Sequence, residues 1–285
     1  MSKYIVLYNP MACSNHGKEK AEELNEILKG DELVYQTVTR IENYAAWFEE
    51  IGPDVPVILC GGDGTVNRFV NHTAGISYPN DILFYAAGTG NDFLADLGKK
   101  PGCAPFSIKQ YLTDLPTTTI QGTSRLFING VGYGIDGYCC EEGDKLRAKS
   151  DKPVNYAGIA IKGLLFHYKP TNATVTVDGT VHTFTKVWLA PIMHGRYYGG
   201  GMIAVPTQDR MNPEHKLSVL VWHGSGKIPT LAAFPGIFKG EHVKHTKNIT
   251  ILTGNEITVE FDRPVAAQID GETVLNVTKV EASHH

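Results

Sequence analysis

No apolar run in the chain approaches the roughly 18 unbroken residues that a membrane-crossing helix needs, so a helical membrane protein is not expected. Met1-Ser2-Lys3 leads directly into the apolar stretch 4–8, which is too short for a signal-peptide core and has no cleavage site. The reading is therefore a soluble, cytoplasmic protein. Cysteine is sparse and odd in number: Cys13, Cys60, Cys103, Cys139 and Cys140 show no C-x-x-C spacing, which excludes a disulfide framework and a zinc knot and leaves reduced thiols. Excess positive charge is also missing. With 26 Lys and Arg against 30 Asp and Glu, the net charge is -4, so there is no basic field to gather phosphodiesters, and nucleic acid is not an expected partner. The sequons at Asn71, Asn172, Asn248 and Asn276 would matter only in a secreted protein.

The 285 residues are enough for two modest domains. In the first part, β-rich stretches at 4–8, 33–38, 56–60 and 82–86 alternate with helical segments at 18–28, 43–51 and 66–71. That alternation predicts βαβ units and an open three-layer α/β domain with a mostly parallel sheet, over residues 1–118. After that point strands follow one another with little helix between them: 126–129, 173–177, 181–190, 217–222, 249–252, 257–261 and 273–280. Asp178-Gly179 and Asp270-Gly271 carry hairpin-turn chemistry. The expectation for 119–285 is an antiparallel β-sandwich, its last strand free to return to the first domain. Two apolar stretches, 155–168 and 228–238, interrupt the strands and read either as core helix or covering loop, or as a lip for a lipid tail.

The chemistry concentrates in loops at strand ends. Gly61-Gly62-Asp63-Gly64-Thr65 follows a buried strand and opens a helix. It therefore lies at the carboxyl edge of the sheet, where open α/β folds bind ligands. Glycines let backbone N–H groups approach phosphates, the helix adds the positive end of its dipole, and Asp63 is placed to hold Mg²⁺ against them; the plain alternative is an ordinary glycine turn. Gly88-Thr89-Gly90-Asn91-Asp92-Phe93 repeats the pattern after the next strand. Asn9-Pro10 with Gly17-Lys18 leaves the first strand on the same edge, with Lys18 either reaching a phosphate or solvated on its helix. There is no G-x-x-x-x-G-K-[ST], and no G-x-G-x-x-G at the first strand, so neither a P-loop nor the usual dinucleotide fold applies.

These two loops, with Asn67, followed by Gly199-Gly200-Gly201-Met202 and Pro206 and then Asp270-Gly271-Glu272, resemble the diacylglycerol kinase catalytic family, which includes sphingosine and ceramide kinases and shares its nucleotide loop with NAD kinases. The resemblance implies an ATP-dependent lipid kinase that phosphorylates a lipid hydroxyl, most simply diacylglycerol to phosphatidic acid, with ATP and Mg²⁺ as cofactors. It implies that Asn9, Lys18, Thr39, Gly61, Gly62, Gly64, Thr65, Asn67, Gly88, Thr89, Gly90, Asn91 and Asp92 line the nucleotide. Asp63 would lie at the metal, and Glu272 would be the general base. Read without the resemblance, Glu272 is a polar residue beside a hairpin turn.

Two departures bear on metal binding. Gln121 stands where the family often has Asp before the first sandwich strand, and Met211 to Lys216 replaces the Asp-Gly usual after Pro206. A structural Mg²⁺ is expected only if Asp209, Asn212 or Glu214 substitute. His194, His242 and His245 lack the carboxylate spacing of a zinc site. The alternatives are an NAD kinase-like small-molecule kinase and a non-catalytic nucleotide-binding protein. A lipid substrate implies peripheral membrane contact, for which the sequence offers 159–168 with Lys162 and Lys169, and edge strands make a homodimer conceivable.

Overall fold

A computed structural model describes residues 1–12, 16–88, 91–149 and 154–285, apart from the side chain of Ala157. Its contacts divide the chain into two compact units, Met1–Asp114 and Leu115–His285.

The first unit contains β1 (Lys3–Tyr8), β2 (Glu32–Thr37), β3 (Val57–Gly61), β4 (Ile82–Ala86) and β5 (Phe106–Ser107), ordered β2-β1-β3-β4-β5. The first four are parallel and β5 is antiparallel to β4. β3 is buried at every position, which a parallel strand achieves only with helices on both faces. On one face Val6, Tyr8, Ile58, Cys60 and Tyr85 pack against Ala21 of α1 (Gly17–Glu22) and Leu24 of α2 (Leu24–Ile27). The expected helix over 18–28 is thus two short ones. α3 (Tyr44–Ile51) and α4 (Asp63–His72) meet through aromatics: Tyr44 stands edge-on to Phe69 at 5.8 Å, and Phe48 stacks on Tyr78 at 4.4 Å. Asn43 caps α3 by accepting from Ala46 N at 3.1 Å. The short α5 (Asp92–Asp96) follows β4.

The second unit is built on a ten-stranded antiparallel sheet. Its strands are β6 (Thr117–Ile120), β7 (Thr123–Leu126), β8 (Gly130–Tyr133), β9 (Thr171–Val177), β10 (Thr180–Val187), β11 (Ile192–Met193), β14 (Leu217–Trp222), β15 (Ile249–Gly254), β16 (Glu256–Ile269) and β17 (Glu272–Ser283). A small hairpin of β12 (Tyr197–Tyr198) and β13 (Met202–Ile203) stands apart. β16 makes the layered form. Its first half pairs with β9 and its last residues with β8, and its register against β17 shifts between Glu260 and Val265, where Pro264 has no N–H to give. β17 pairs with β16 and β6. Trp188 and Trp222 are fully buried in the core. Of the 126–129 strand expected from sequence, Leu126 ends β7 and 127–129 form the connection to β8.

Three helices accompany this sheet. α6 (Ile135–Arg147) has no counterpart in the sequence expectation. α7 (Tyr156–Lys162), continued by a π-turn over Gly163–His167, and α8 (Lys227–Ala233), continued by a 3-10 turn over Phe234–Lys239, are the two apolar stretches.

Candidate active site

Gly61, Asp63, Gly64 and Thr65 of the first glycine loop have identifiable physical roles. A Cβ on Gly61 would stand 2.1 Å from Thr65 Oγ1, so Thr65, itself buried, requires glycine there. Gly64 is different, since a Cβ there would meet nothing within 4 Å. Its missing side chain leaves the backbone at the N-terminus of α4 open to approach, where helix N–H groups lack intrahelical partners.

Asp63 joins this loop to the next. Its Oδ2 accepts from Asp92 N at 2.9 Å and its Oδ1 from Phe93 N at 3.0 Å, so the carboxylate sits on the first turn of α5, where the dipole favours it. Asp63 and Asp92 are both buried, and carboxylates are hard oxygen ligands of the kind that suits Mg²⁺, which binds through one or two of them and otherwise keeps phosphate oxygens and water. Asn91 Nδ2 donates to Gly88 O at 3.0 Å, while its buried Oδ1 accepts from no group among the described residues. That acceptor is free for a ligand hydroxyl or amine.

The remaining nucleotide candidates of the first unit are placed less uniformly. Asn67 is buried and accepts from Asn71 through Oδ1 at 3.2 Å. Asn9 Oδ1 accepts from Met11 N at 3.1 Å, and Gly17 is held against the Asn9 carbonyl, where a Cβ would stand 1.9 Å away. Lys18 is exposed and ion-paired to Glu22 at 3.6 Å. Thr39 is exposed, 3.3 Å from Thr37 Oγ1. Thr89 and Gly90 lie outside the described residues.

In the second unit the Asp270-Gly271 turn connects β16 to β17, with both residues in the left-handed region at φ 46 and 94. The Asp270 carboxylate accepts from Ile128 N at 2.6 Å, Asn129 N at 2.8 Å and Gly130 N at 3.0 Å. Gln268 Oε1 accepts from Gly271 N at 2.6 Å, and Thr273 Oγ1 donates to Asp144 of α6 at 2.6 Å. Glu272 therefore stands on a backbone fixed from three sides. Its carboxylate is half exposed and pairs with Arg125 Nη1 at 2.9 Å.

The candidates for a structural metal hold their own loop. Asp209 Oδ1 accepts from Met211 N, Asn212 Oδ1 accepts from Lys216 N, and Asn212 Nδ2 donates to Asp209 O and Lys216 O; Asp209 and Glu214 are exposed. His242 is fully buried, donates to Ala204 O at 2.9 Å and stacks on Trp222. Burial holds the His194 imidazole well below its usual range, with Arg210 adding to the effect. Sequence reasoning missed Asp136, whose buried carboxyl is described below, and the clamp made by Asp270.

Family models match both parts of the chain. The diacylglycerol kinase catalytic domain matches residues 3–120 and the YegS C-terminal NAD kinase beta sandwich-like domain matches residues 129–282. A diacylglycerol kinase of Mycobacterium tuberculosis is 28% identical over 196 residues, which are 66% of this chain and 61% of that protein. The Bacillus subtilis protein named "Putative lipid kinase YtlR" is 26% identical, over 95% of this chain and 94% of its own length. A crystal structure of a diacylglycerol kinase from Bacillus anthracis str. Sterne superposes with a TM-score of 0.59 at 16% identity, covering 99% of this chain and 94% of that one; at that identity the likeness speaks for the fold. The two matched domains follow one another along the described chain in the order read from its motifs, and the chain belongs to the diacylglycerol kinase catalytic family.

Proposed function

We propose that the protein is a lipid kinase that transfers the terminal phosphate of ATP to the hydroxyl of a lipid, with diacylglycerol as acceptor and phosphatidic acid as product. The observation that carries this reading is the Asp63 carboxylate bonded to the first two N–H groups of α5, which joins two glycine loops at neighbouring strand ends. The open face of Gly64 and the orphan Asn91 Oδ1 supply places for phosphate and sugar. Asp63 and Asp92 would hold Mg²⁺, which when bound supplies positive charge at the phosphate oxygens.

In this reading Glu272 is the general base. As the lipid oxygen bonds to the terminal phosphorus and the bond from that phosphorus to the bridging oxygen of ADP breaks, the hydroxyl proton passes to the Glu272 carboxylate. The fixed hairpin holds that carboxylate in one orientation, and placement is most of what phosphoryl transfer asks of a protein. Access to a bilayer follows from the surface. Phe166 is 73% and Ile228 77% exposed on segments joined by the bond from Lys227 Nζ to Leu165 O at 2.9 Å. Neither 154–177 nor 215–240 contains an acidic residue. A cytoplasmic protein with such a surface docks weakly and reversibly on anionic lipid.

The test is transfer of labelled phosphate from ATP over a panel of emulsified lipids with NAD included, because the second unit matches an NAD kinase-like domain. A labelled phosphatidic acid is the expected product. Labelled NADP instead would move the protein to the small-molecule branch, and no labelled product with any acceptor would leave a nucleotide-binding protein without transfer activity. Glu272→Gln should lower turnover roughly 10²- to 10⁴-fold with nucleotide affinity unchanged; unimpaired turnover would remove the base assignment.

A further inference from the structure

Away from the glycine loops and the Asp270 hairpin, one buried acid lacks a protein partner. Asp136 stands in the first turn of the 13-residue α6 and is 7% exposed, and neither of its carboxyl oxygens accepts a well-formed hydrogen bond from the protein. Burial pushes its pKa up to about 7, against the smaller opposing pull of the N–H groups of Gly137 and Asp136.

The local sequence is shaped around this carboxyl. A Cβ on Gly132 would stand 1.9 Å from Asp136 Oδ2 and 2.4 Å from Gln268 Nε2, and one on Gly137 would stand 2.0 Å from Ala266 O. Gly134 enters the helix at φ 116, in the left-handed region. Three glycines thus seat an acid that stability alone would replace with an apolar residue.

A second unpartnered group lies close by. The Tyr168 hydroxyl is buried and bonds to no protein group; burial pushes its pKa far up, and the nearby Asp136 charge adds to that. Tyr168 directly follows the π-turn that continues α7, the local form that recurs at functional sites. Gly163 of the π-turn is packed on Tyr138 and Ile135 of α6, a Cβ there meeting the Tyr138 ring at 2.7 Å, while Ile161 and Phe166 point outward and exposed. Two unsatisfied buried donors therefore underlie an apolar outer surface. Gln268, whose Nε2 crowds the same Gly132 position as Asp136 Oδ2, accepts from Gly271 N of the Glu272 hairpin.

We propose that Asp136 and Tyr168 hold an uncharged, oxygen-rich headgroup, the glyceryl ester carbonyl of the acceptor lipid, with the acyl chains leaving over Ile161 and Phe166. The inference rests on the lipid-kinase reading and specifies its acceptor. A buried carboxyl held neutral donates a hydrogen bond, as does a phenol, and a carbonyl has two lone pairs to receive them. Of the groups facing Asp136, Cys139 and Cys140 on α6 and Tyr168 after the π-turn all have pKa values pushed up by burial, Cys140 to about 12. Gln268 on β16 carries no charge, and Arg263 stands over the Tyr168 ring at 5.6 Å. Asp136 is the member of this set that changes charge near neutral pH.

The test compares 1,2-dioctanoylglycerol with 1,2-dioctylglycerol, the diether that keeps the free hydroxyl and lacks the carbonyls, by calorimetric Kd and by kcat/KM. The wild type should bind the diester about tenfold more tightly at pH 6, with the preference shrinking above pH 7 as Asp136 ionises. Tyr168→Phe should reduce the preference and Asp136→Ala should abolish it. Asp136→Asn, which keeps an N–H donor, should retain it at every pH, and this variant carries the test if the alanine variant fails to fold. Equal affinities in the wild type, a preference indifferent to pH, or one that survives Asp136→Ala would overturn the assignment. If the diester preference in Kd holds but neither lipid is phosphorylated, the headgroup site stands and the kinase reading falls; phosphorylation of both without preference gives the reverse.

Discussion

The unpartnered carboxyl of Asp136 should make the stability of the second unit depend on pH in a direction opposite to that of an ordinary salt-bridged acid. Its pKa is raised from 3.8 to about 7 by burial. Below pH 3.8 the group is protonated in both the folded and unfolded chain, and the acid imposes no ionisation penalty. Between 3.8 and about 7 the unfolded chain releases the proton and the folded one keeps it, so stability declines by ~1.4 kcal/mol per pH unit. Above pH 7 both are ionised and the loss levels off at roughly 4 kcal/mol. Asp136→Asn is neutral in both states and should lack this slope. Urea unfolding of a Trp47→Phe background isolates the second unit, because the two remaining tryptophans, Trp188 and Trp222, both lie in its core. The stability of the Asn variant relative to Asp136 should rise steadily from pH 4 to pH 7 and then stay constant. A difference independent of pH would refute the premise that Asp136 is buried without a partner, and a difference of opposite sign would mean that a cation holds it.

Four further outcomes follow from the geometry. Asp63→Ala removes the acceptor of two buried N–H groups and should lower the stability of the first unit by about 2 to 4 kcal/mol, read by hydrogen exchange at Asp92 and Phe93, with nucleotide binding lost alongside. Gly61→Ala forces a methyl against Thr65 and should cost about 1 to 3 kcal/mol; combining it with Thr65→Ala should recover most of that in a thermal melt. Asp270→Ala leaves three backbone N–H groups without their acceptor and should cost at least about 2 kcal/mol, while Kd for ATP is retained. Arg125→Ala breaks an exposed pair and should change stability by less than about 1 kcal/mol. Any effect of it on turnover would then report on how Glu272 is oriented.

How far the sequence discloses all this depends on the range over which each feature is determined. Strands 82–86 and 217–222 are found as read, because continuous apolar, β-branched stretches need no distant information. The turns at Asp178-Gly179 and Asp270-Gly271 are legible for a similar reason, both residues of each pair adopting left-handed φ. α6 is hidden because Gly137 and Gly143 are required by close contacts with Ala266 and Tyr156, and those glycines erase the apolar periodicity that would mark a helix. The stretch 126–129 resembles a strand in composition, yet after Leu126 the N–H groups of Ile128 and Asn129 are taken by a side chain more than 140 residues away. Asp136 left no motif at all: its significance arises from burial, which is a property of the packed structure.

Asp63 and Asp270 show why the motif residues were nevertheless readable. Each carboxylate accepts backbone N–H groups from a loop remote in sequence, two for Asp63 and three for Asp270. Each therefore fixes the position of chemistry carried by its neighbours. Asparagine offers one acceptor oxygen and no charge, and alanine offers neither, so the role requires a carboxylate before any ligand arrives. In the proposed reading Asp63 both orients the second loop and holds Mg²⁺. Loss of activity in an Asp63 variant consequently cannot by itself assign the metal. The discriminating quantity is the protection of the Asp92 and Phe93 amides: an Asp63→Asn protein that keeps either amide protected while losing Mg²⁺-dependent nucleotide binding separates the two roles, and one that loses both together joins them.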